Sequence, residues 1–245
     1  MKTVDELTPR QVQILKAIIE EYIATAEPVG SDTLEKKYNL GVSPATIRNE
    51  MMKLTSMQLL KQVHTSAGRT PTSQALKYYV EHLMKQKDLS VSDEVAVKES
   101  MWDYRQQVDK LLREATKTLA QKTKTLALTA TKDGDLYYAG AANILSMPEF
   151  YDYELTQSVL TSLDEFDFWW HLLEEHGNPF DVILGDEMEG GGRQLSQCSL
   201  VYHRFNTPHV SGAIGVVGPS RLNYSYIVPV VRYVGDLITE FGLNW

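Results

Sequence analysis

"NLGVSPATIRNEMMKL" spans Asn39 to Leu54. It contains a turn, a helix start and an amphipathic helix. Gly41 sits in the turn, Ser43 can cap the helix and Pro44 suits its first position. At about 100° per residue, Ile47, Met51 and Leu54 share one face. Ala45, Asn49 and Met52 lie opposite, with Arg48 at the flank. Helices that enter a major groove present their N-terminal residues to base edges. Arg can pair with guanine, Asn with adenine, and Ala can touch a thymine methyl. The same amphipathicity also suits an ordinary surface helix, so its neighbours must decide.

Upstream, "TPRQVQILKAIIEEYIATAEP" reads as a helix with Thr8 as cap, Pro9 at its first position and Gln11 completing a capping box. Leu15, Ile18, Ile19 and Tyr22 mark its core face. Ser31 is expected to cap a short second helix, "DTLEKKY", ended by Asn39 and Gly41. Downstream, "LLKQV" reads as a strand and "HTSAGRTPT" as a polar hairpin tip. Thr72 can cap the helix "SQALKYYVEHLMKQK". Three helices, a hairpin with a basic tip and a closing helix describe a winged helix-turn-helix.

Charge supports that reading. The 245 residues carry a net charge of −8, unevenly spread. Residues 1–35 balance at −4, residues 36–87 at +7 and residues 88–245 at −11. A basic block inside an acidic chain attracts phosphate where the average would not. A solvated charged face is the plain alternative. The DNA-binding candidates read from the residues are Ala45, Arg48, Asn49 and Lys53 of the third helix, with His64, Ser66 and Arg69 of the wing. Gly68 would allow a close approach or a positive φ.

Apolar residues make up 43% of the chain and charged ones 23%, which fits a globular protein. The single cysteine, Cys198, makes no internal disulfide, and a reducing, cytoplasmic setting is expected. "MKTVDELTPRQ" lacks the apolar core of a signal peptide, and no stretch reaches the roughly 20 apolar residues of a membrane span.

"DLSVSDEV" (88–95) reads as a joint between domains. One long helical pattern then runs from Val97 to Lys122, suited to a dimer contact or to packing on the next domain. The remainder mixes short strands and helices, an α+β domain of sensor type. Its last helix, "NYSYIVPVVRYVGDLITEF", carries Pro229, which should end or kink it early. The domain reading is 1–87 DNA-binding, 88–125 linker and long helix, and 126–245 effector.

No enzyme chemistry assembles. "HLLEEH" (171–176) spaces its histidines off one helical face, "GDEMEGGG" (185–192) reads as an exposed turn, and "GVVGPSR" (215–221) lacks the Lys-Ser/Thr of a P-loop. Trp169 and Trp170 read as packing. No metal or cofactor is expected.

The stretches "LTPRQVQILKAIIEEYIATAEPVGSDTLEKKYNLGVSPATIRNEMMKL" and "HTSAGRTPT" closely resemble the N-terminal domain of the heat-inducible transcription repressor family, HrcA. "REATKTLAQKT", "NILSMPEF" and "GAIGVVGPSRLNYS" resemble the same family's effector domain. The resemblance implies a repressor of chaperone genes that binds double-stranded DNA at an inverted-repeat operator as a homodimer. It implies a winged helix, a GAF-like domain and a dimerising domain inserted into the latter. It also implies a GroEL-type chaperonin as modulator. Carried over by position, it implies Ser43, Pro44, Ala45, Thr46, Arg48 and Asn49 as DNA contacts of the recognition helix, with His64, Ser66 and Arg69 of the wing.

Two departures stand out. Only "KDGD" (132–135) joins "LALTAT" to "DLYYAGAANIL", where the family places the inserted domain. Pro44 stands where the family favours a small residue, and it removes one backbone N–H. The competing readings are a winged-helix regulator gated by a small molecule and a protein-interaction module that no longer binds DNA.

Overall fold

Thr8 starts the first helix as its sequence requires. Its hydroxyl accepts from the Gln11 N–H and the Gln11 side chain accepts from the Thr8 N–H, closing the capping box of α1 (Pro9–Thr25). The computed structural model describes residues 7–62, 68–188 and 195–243. The chain divides into two units, Met1–Met84 and Lys85–Trp245.

In the first unit, α1 buries Ile14, Leu15, Ile18 and Ile19 completely. Helix α2 (Ser31–Lys37) follows, and α3 (Pro44–Ser56) begins at Ser43, whose hydroxyl accepts from the Thr46 N–H. The expected cap of α2 is not realised. Gly30 is the cap residue, and the Ser31 hydroxyl turns instead to the Asp32 carboxylate. Gly41, at φ +65°, makes the turn between α2 and α3.

Strands β1 (Leu60–Lys61) and β2 (Thr70–Pro71) pair antiparallel. Val29 adds to the outer side through reciprocal 2.9 Å bonds with Arg69. Helix α4 (Ser73–Tyr78), capped by Thr72, runs into a wider turn at Tyr79–Leu83. His64 and Ser66 lie outside the described residues.

The second unit begins with α5 (Val91–Trp102) and α6 (Val108–Thr123). The pattern that predicts one helix is broken at 103–107, where Gln107 is extended. The break lets the two helices fold back on each other. Lys122 pairs with Asp93 at 2.7 Å, and the Ser100 and Thr118 hydroxyls meet at 2.9 Å. A single straight helix could not bury Val97 and Met101 in this way.

Strands β3 (Leu126–Thr131) and β4 (Leu136–Ala139) form a hairpin. Its turn is closed by bonds from the Thr131 N–H to the Asp135 carbonyl and from the Gly134 N–H to the Thr131 carbonyl. Single-turn segments at Ala141–Ser146 and Pro148–Tyr151 lead to α7 (Tyr153–Ser162) and α8 (Phe166–His176). Then come β5 (Phe180–Leu184), β6 (Cys198–Asn206), β7 (Ser211–Pro219) and α9 (Tyr224–Gly242).

The antiparallel sheet has the order β4-β3-β7-β6-β5. Period-two alternation sends Leu126, Leu128, Leu200 and Tyr202 to a core shared with Val159, Trp169 and Leu173 of α7 and α8. Thr129 and His203 point the other way, toward Thr116 of α6 and Gly235 of α9. Helices therefore cover both faces, and the chain is α+β as expected.

Helix α9 does not stop at Pro229. Proline has no N–H for the Ser225 carbonyl, one turn back. That carbonyl accepts from the Lys87 N–H at 3.2 Å instead, so the interruption leaves no orphan there. No helix among the described residues is long and apolar enough to cross a membrane.

Candidate nucleic-acid interface

Helix α3 keeps its outer face clear. Ile47, Glu50, Met51 and Leu54 are buried, while Ala45, Arg48, Asn49, Met52 and Lys53 are exposed. Ser43 is exposed too, but its hydroxyl is committed to the cap and lies 3.1 Å from the Thr46 hydroxyl. Pro44 is half-buried at the first helical position.

Glu50 is the acid on the apolar face. It accepts from the Gln11 side chain at 3.1 Å and from Lys53 at 2.8 Å, so it ties α3 to α1. This role is absent from the sequence reading, although an acid between Ile47 and Met51 signals a buried polar partner. Lys53 is therefore a candidate contact that also serves this tie.

The Lys53 hydrogen bond holds the Glu50 carboxyl below its ordinary pKa, outweighing the opposing effect of burial. A depressed carboxylate contributes stability above the unfolded value, about 4.3, and loses it as pH falls through the folded value. Glu50→Gln should therefore blunt the acid sensitivity of the first unit. Thermal melts from pH 6 to pH 3 check this, and parallel loss in variant and wild type would count against it.

Arg69 does not project freely. Its backbone pairs with Val29, and its Nε donates to the Thr55 hydroxyl in the last turn of α3 at 3.2 Å. Gly68 is required by close approach, since a Cβ there would meet the Val29 carbonyl carbon and oxygen at 2.4 Å. Arg48 and Arg69 line one cleft of ≈ 560 Å³ with Gly30 to Thr33 at the start of α2. Structure thus brings together Arg48, Asn49, Lys53 and Arg69 around α3. It adds Met52, 50% exposed on the outermost face.

Elsewhere, Cys198 is buried and its thiol is pushed up to about 12 by burial, so it is no nucleophile at neutral pH. Arg221, in the "GVVGPSR" turn, is paired with Glu149.

The model of the HrcA protein C terminal domain matches residues 45–228. The chain belongs to the HrcA family. Among its relatives, the heat-inducible transcription repressor HrcA of Symbiobacterium thermophilum is 26% identical over 336 residues, covering 95% of this chain and 98% of that protein. The heat-inducible transcription repressor HrcA of Ruminiclostridium cellulolyticum is 27% identical over 341 residues, covering 96% and 97%. The crystal structure of a hypothetical protein superposes with a TM-score of 0.79 at 19% identity, covering 99% of both chains. It shares the fold of this HrcA-family chain.

The alignment to the Symbiobacterium protein is longer than the present chain. Of its 336 positions, at least 91 face no residue among the 245 here.

Proposed function

We propose that this HrcA-family chain is a DNA-binding transcriptional repressor of heat-shock genes. In this reading its first unit is a winged helix-turn-helix, covering residues 1–87, and it acts as a homodimer on an inverted-repeat operator. The observation that carries the reading is α3, with Arg48, Asn49, Met52 and Lys53 exposed on a firmly cored helix inside the +7 block of residues 36–87. Residues 126–245 serve as a GAF-like effector domain. Repression is steric, because a bound dimer occludes polymerase.

The dimer finds support in α5. Its inner side buries Val97 and Met101, yet Val91, Val95 and Trp102 are 76%, 48% and 46% exposed along its outer side. Apolar residues on both sides of one helix mark a second packing face. A GroEL-type chaperonin as modulator belongs to the same proposal and rests on the family resemblance alone.

Footprinting on an inverted repeat upstream of chaperone genes tests the reading. Both half-sites should be protected together, at helical-turn spacing. Affinity should fall about 10³-fold or more between 50 and 200 mM salt, as expected for six or more phosphate contacts. Salt-independent binding, or no protection of a palindrome, would overturn it.

A further inference from the structure

The winged-helix reading leaves open which side chains read sequence and which hold the backbone. Two dimensions constrain the answer. An α-helix with its side chains is about 10–12 Å across, and the major groove is about 12 Å wide. A helix lying in the groove therefore presents its outermost face to base edges and its two flanks to the phosphate walls.

The outermost face of α3 is the one opposite Ile47, Glu50, Met51 and Leu54, which are all buried. By helical spacing it comprises Ala45, Asn49 and Met52. Arg48 is on a flank. Thr55, seven residues and two turns further on, is on the same flank, and it accepts the hydrogen bond from Arg69. The cleft beside that flank is lined by Arg48 and Arg69, with Ser31 and Thr33, and it reaches Met52 where the flank meets the outer face. Asp32 also lines it, so the lining carries two cations and one carboxylate. Arg48 has no hydrogen-bond or ion-pair partner among the described residues, and so its guanidinium is available.

We propose that Arg48 and Arg69 together clamp one phosphate of the DNA backbone, and that sequence is read by Ala45, Asn49 and Met52. This rests on the repressor reading and deepens it. Arg48 moves from base contact to backbone contact. Met52 becomes a specificity-determining residue, its methyl group suited to a thymine methyl in the way other apolar side chains are. Guanidinium groups suit the clamp because their fixed donor forks match phosphate oxygens.

The test measures binding of the full chain to its operator and to a panel with single base-pair changes, at several salt concentrations. Arg48→Ala should weaken binding to every member by a common factor, ~10-fold. It should also make the slope of log K against log salt shallower by about 0.9, the signature of one lost phosphate. Arg69→Ala should do the same, and the double variant should lose little more than either alone, because one phosphate is shared. Met52→Ala should leave the slope unchanged and erase preference at one base pair.

Arg48 is exposed and makes no internal contact of this kind, so Arg48→Ala should melt like the wild type. Loss of preference confined to one base pair in Arg48→Ala, with the slope unchanged, overturns the clamp while leaving the repressor reading intact. Wild-type protein that binds no DNA overturns both.

Discussion

Trp169→Ala should lower the stability of the second unit by about 3–5 kcal/mol, the upper range for core truncations. Trp169 is fully buried between α7, α8 and the sheet. Its indole N–H donates to the Ser162 carbonyl at 2.8 Å, and Ser162 is itself fully buried. The Phe168 ring meets it edge-on at 5.0 Å. Truncation therefore removes a large apolar body and one of the two donors to the Ser162 carbonyl, which keeps the Glu165 N–H at 3.1 Å. The lost hydrogen bond alone costs about 0.5–1.5 kcal/mol, and Trp169→Phe should isolate it. Trp170 provides the control. It is only partly buried and stacks on Phe166, so Trp170→Ala should cost much less. Urea unfolding followed by circular dichroism reads all three variants. A loss below about 1 kcal/mol in Trp169→Ala would show that the second core does not depend on this residue.

That pair illustrates where sequence was readable. "DFWWHLLEEH" announces a helix with packed aromatics, but two adjacent tryptophans look alike until a sheet lies under one of them. Local chemistry was the most legible layer. The caps at Thr8, Ser43 and Thr72 all form, because each depends only on residues within one turn. Ser31 fails because the helix starts one residue earlier than expected, with Gly30 at the cap position and Ser31 already the first helical residue.

Periodicity was less reliable across a break. Met101, Val108 and Leu111 keep helical spacing through 103–107, although the chain turns back there. The pattern reports which side faces apolar surroundings, and both helices face the same core. Long-range order was not legible. β3 lies between β4 and β7, and no local feature of "TLALTAT" specifies a partner more than 80 residues away. The rescue of the Ser225 carbonyl by Lys87, which lets α9 run through Pro229, is invisible for the same reason.

At the candidate interface, helical spacing marked which side chains α3 leaves exposed, and not what lies beside them. The helical wheel sets Asn49 on the outer face of α3 and Arg48 on its flank. The cleft that Arg48 shares with Arg69, and the bond from Arg69 to Thr55, join residues too far apart in sequence for spacing to connect. Glu50 is a further case. Its place between Ile47 and Met51 puts it on the buried side, but the partners that hold it against α1, Gln11 and Lys53, were not legible. A helix that must enter a groove at a defined angle needs such a tie, because apolar contacts alone are non-directional.

Gly68→Ala should be the most damaging single-methyl change in the first unit. Sequence reading allowed two reasons for glycine here, a positive φ or a close approach. Gly68 is not among the positive-φ glycines, so the close approach remains. An added Cβ would lie 2.4 Å from the Val29 carbonyl carbon and oxygen and 2.8 Å from the Pro28 carbonyl carbon. All three atoms are backbone, and none can rotate aside. The strand must move away from Val29, breaking the two reciprocal bonds between Val29 and Arg69. Two lost backbone hydrogen bonds and the overpacking together should cost about 2–4 kcal/mol.

The functional effect should exceed the loss of stability. Arg69 is held beside α3 by its backbone pairing and by Thr55, so shifting the strand withdraws its guanidinium from the cleft. At temperatures where the variant stays folded, operator affinity should still fall about tenfold, as for loss of one charged hydrogen-bonded contact. Gly41→Ala separates the two effects. Gly41 sits at φ +65° with nothing within 4 Å, so alanine there strains the backbone without displacing a neighbour. It should lower the melting temperature with little change in affinity per folded molecule. Should Gly68→Ala also melt lower yet bind like wild type, the Val29–Arg69 pairing would be a brace for the fold and not what sets Arg69 against DNA.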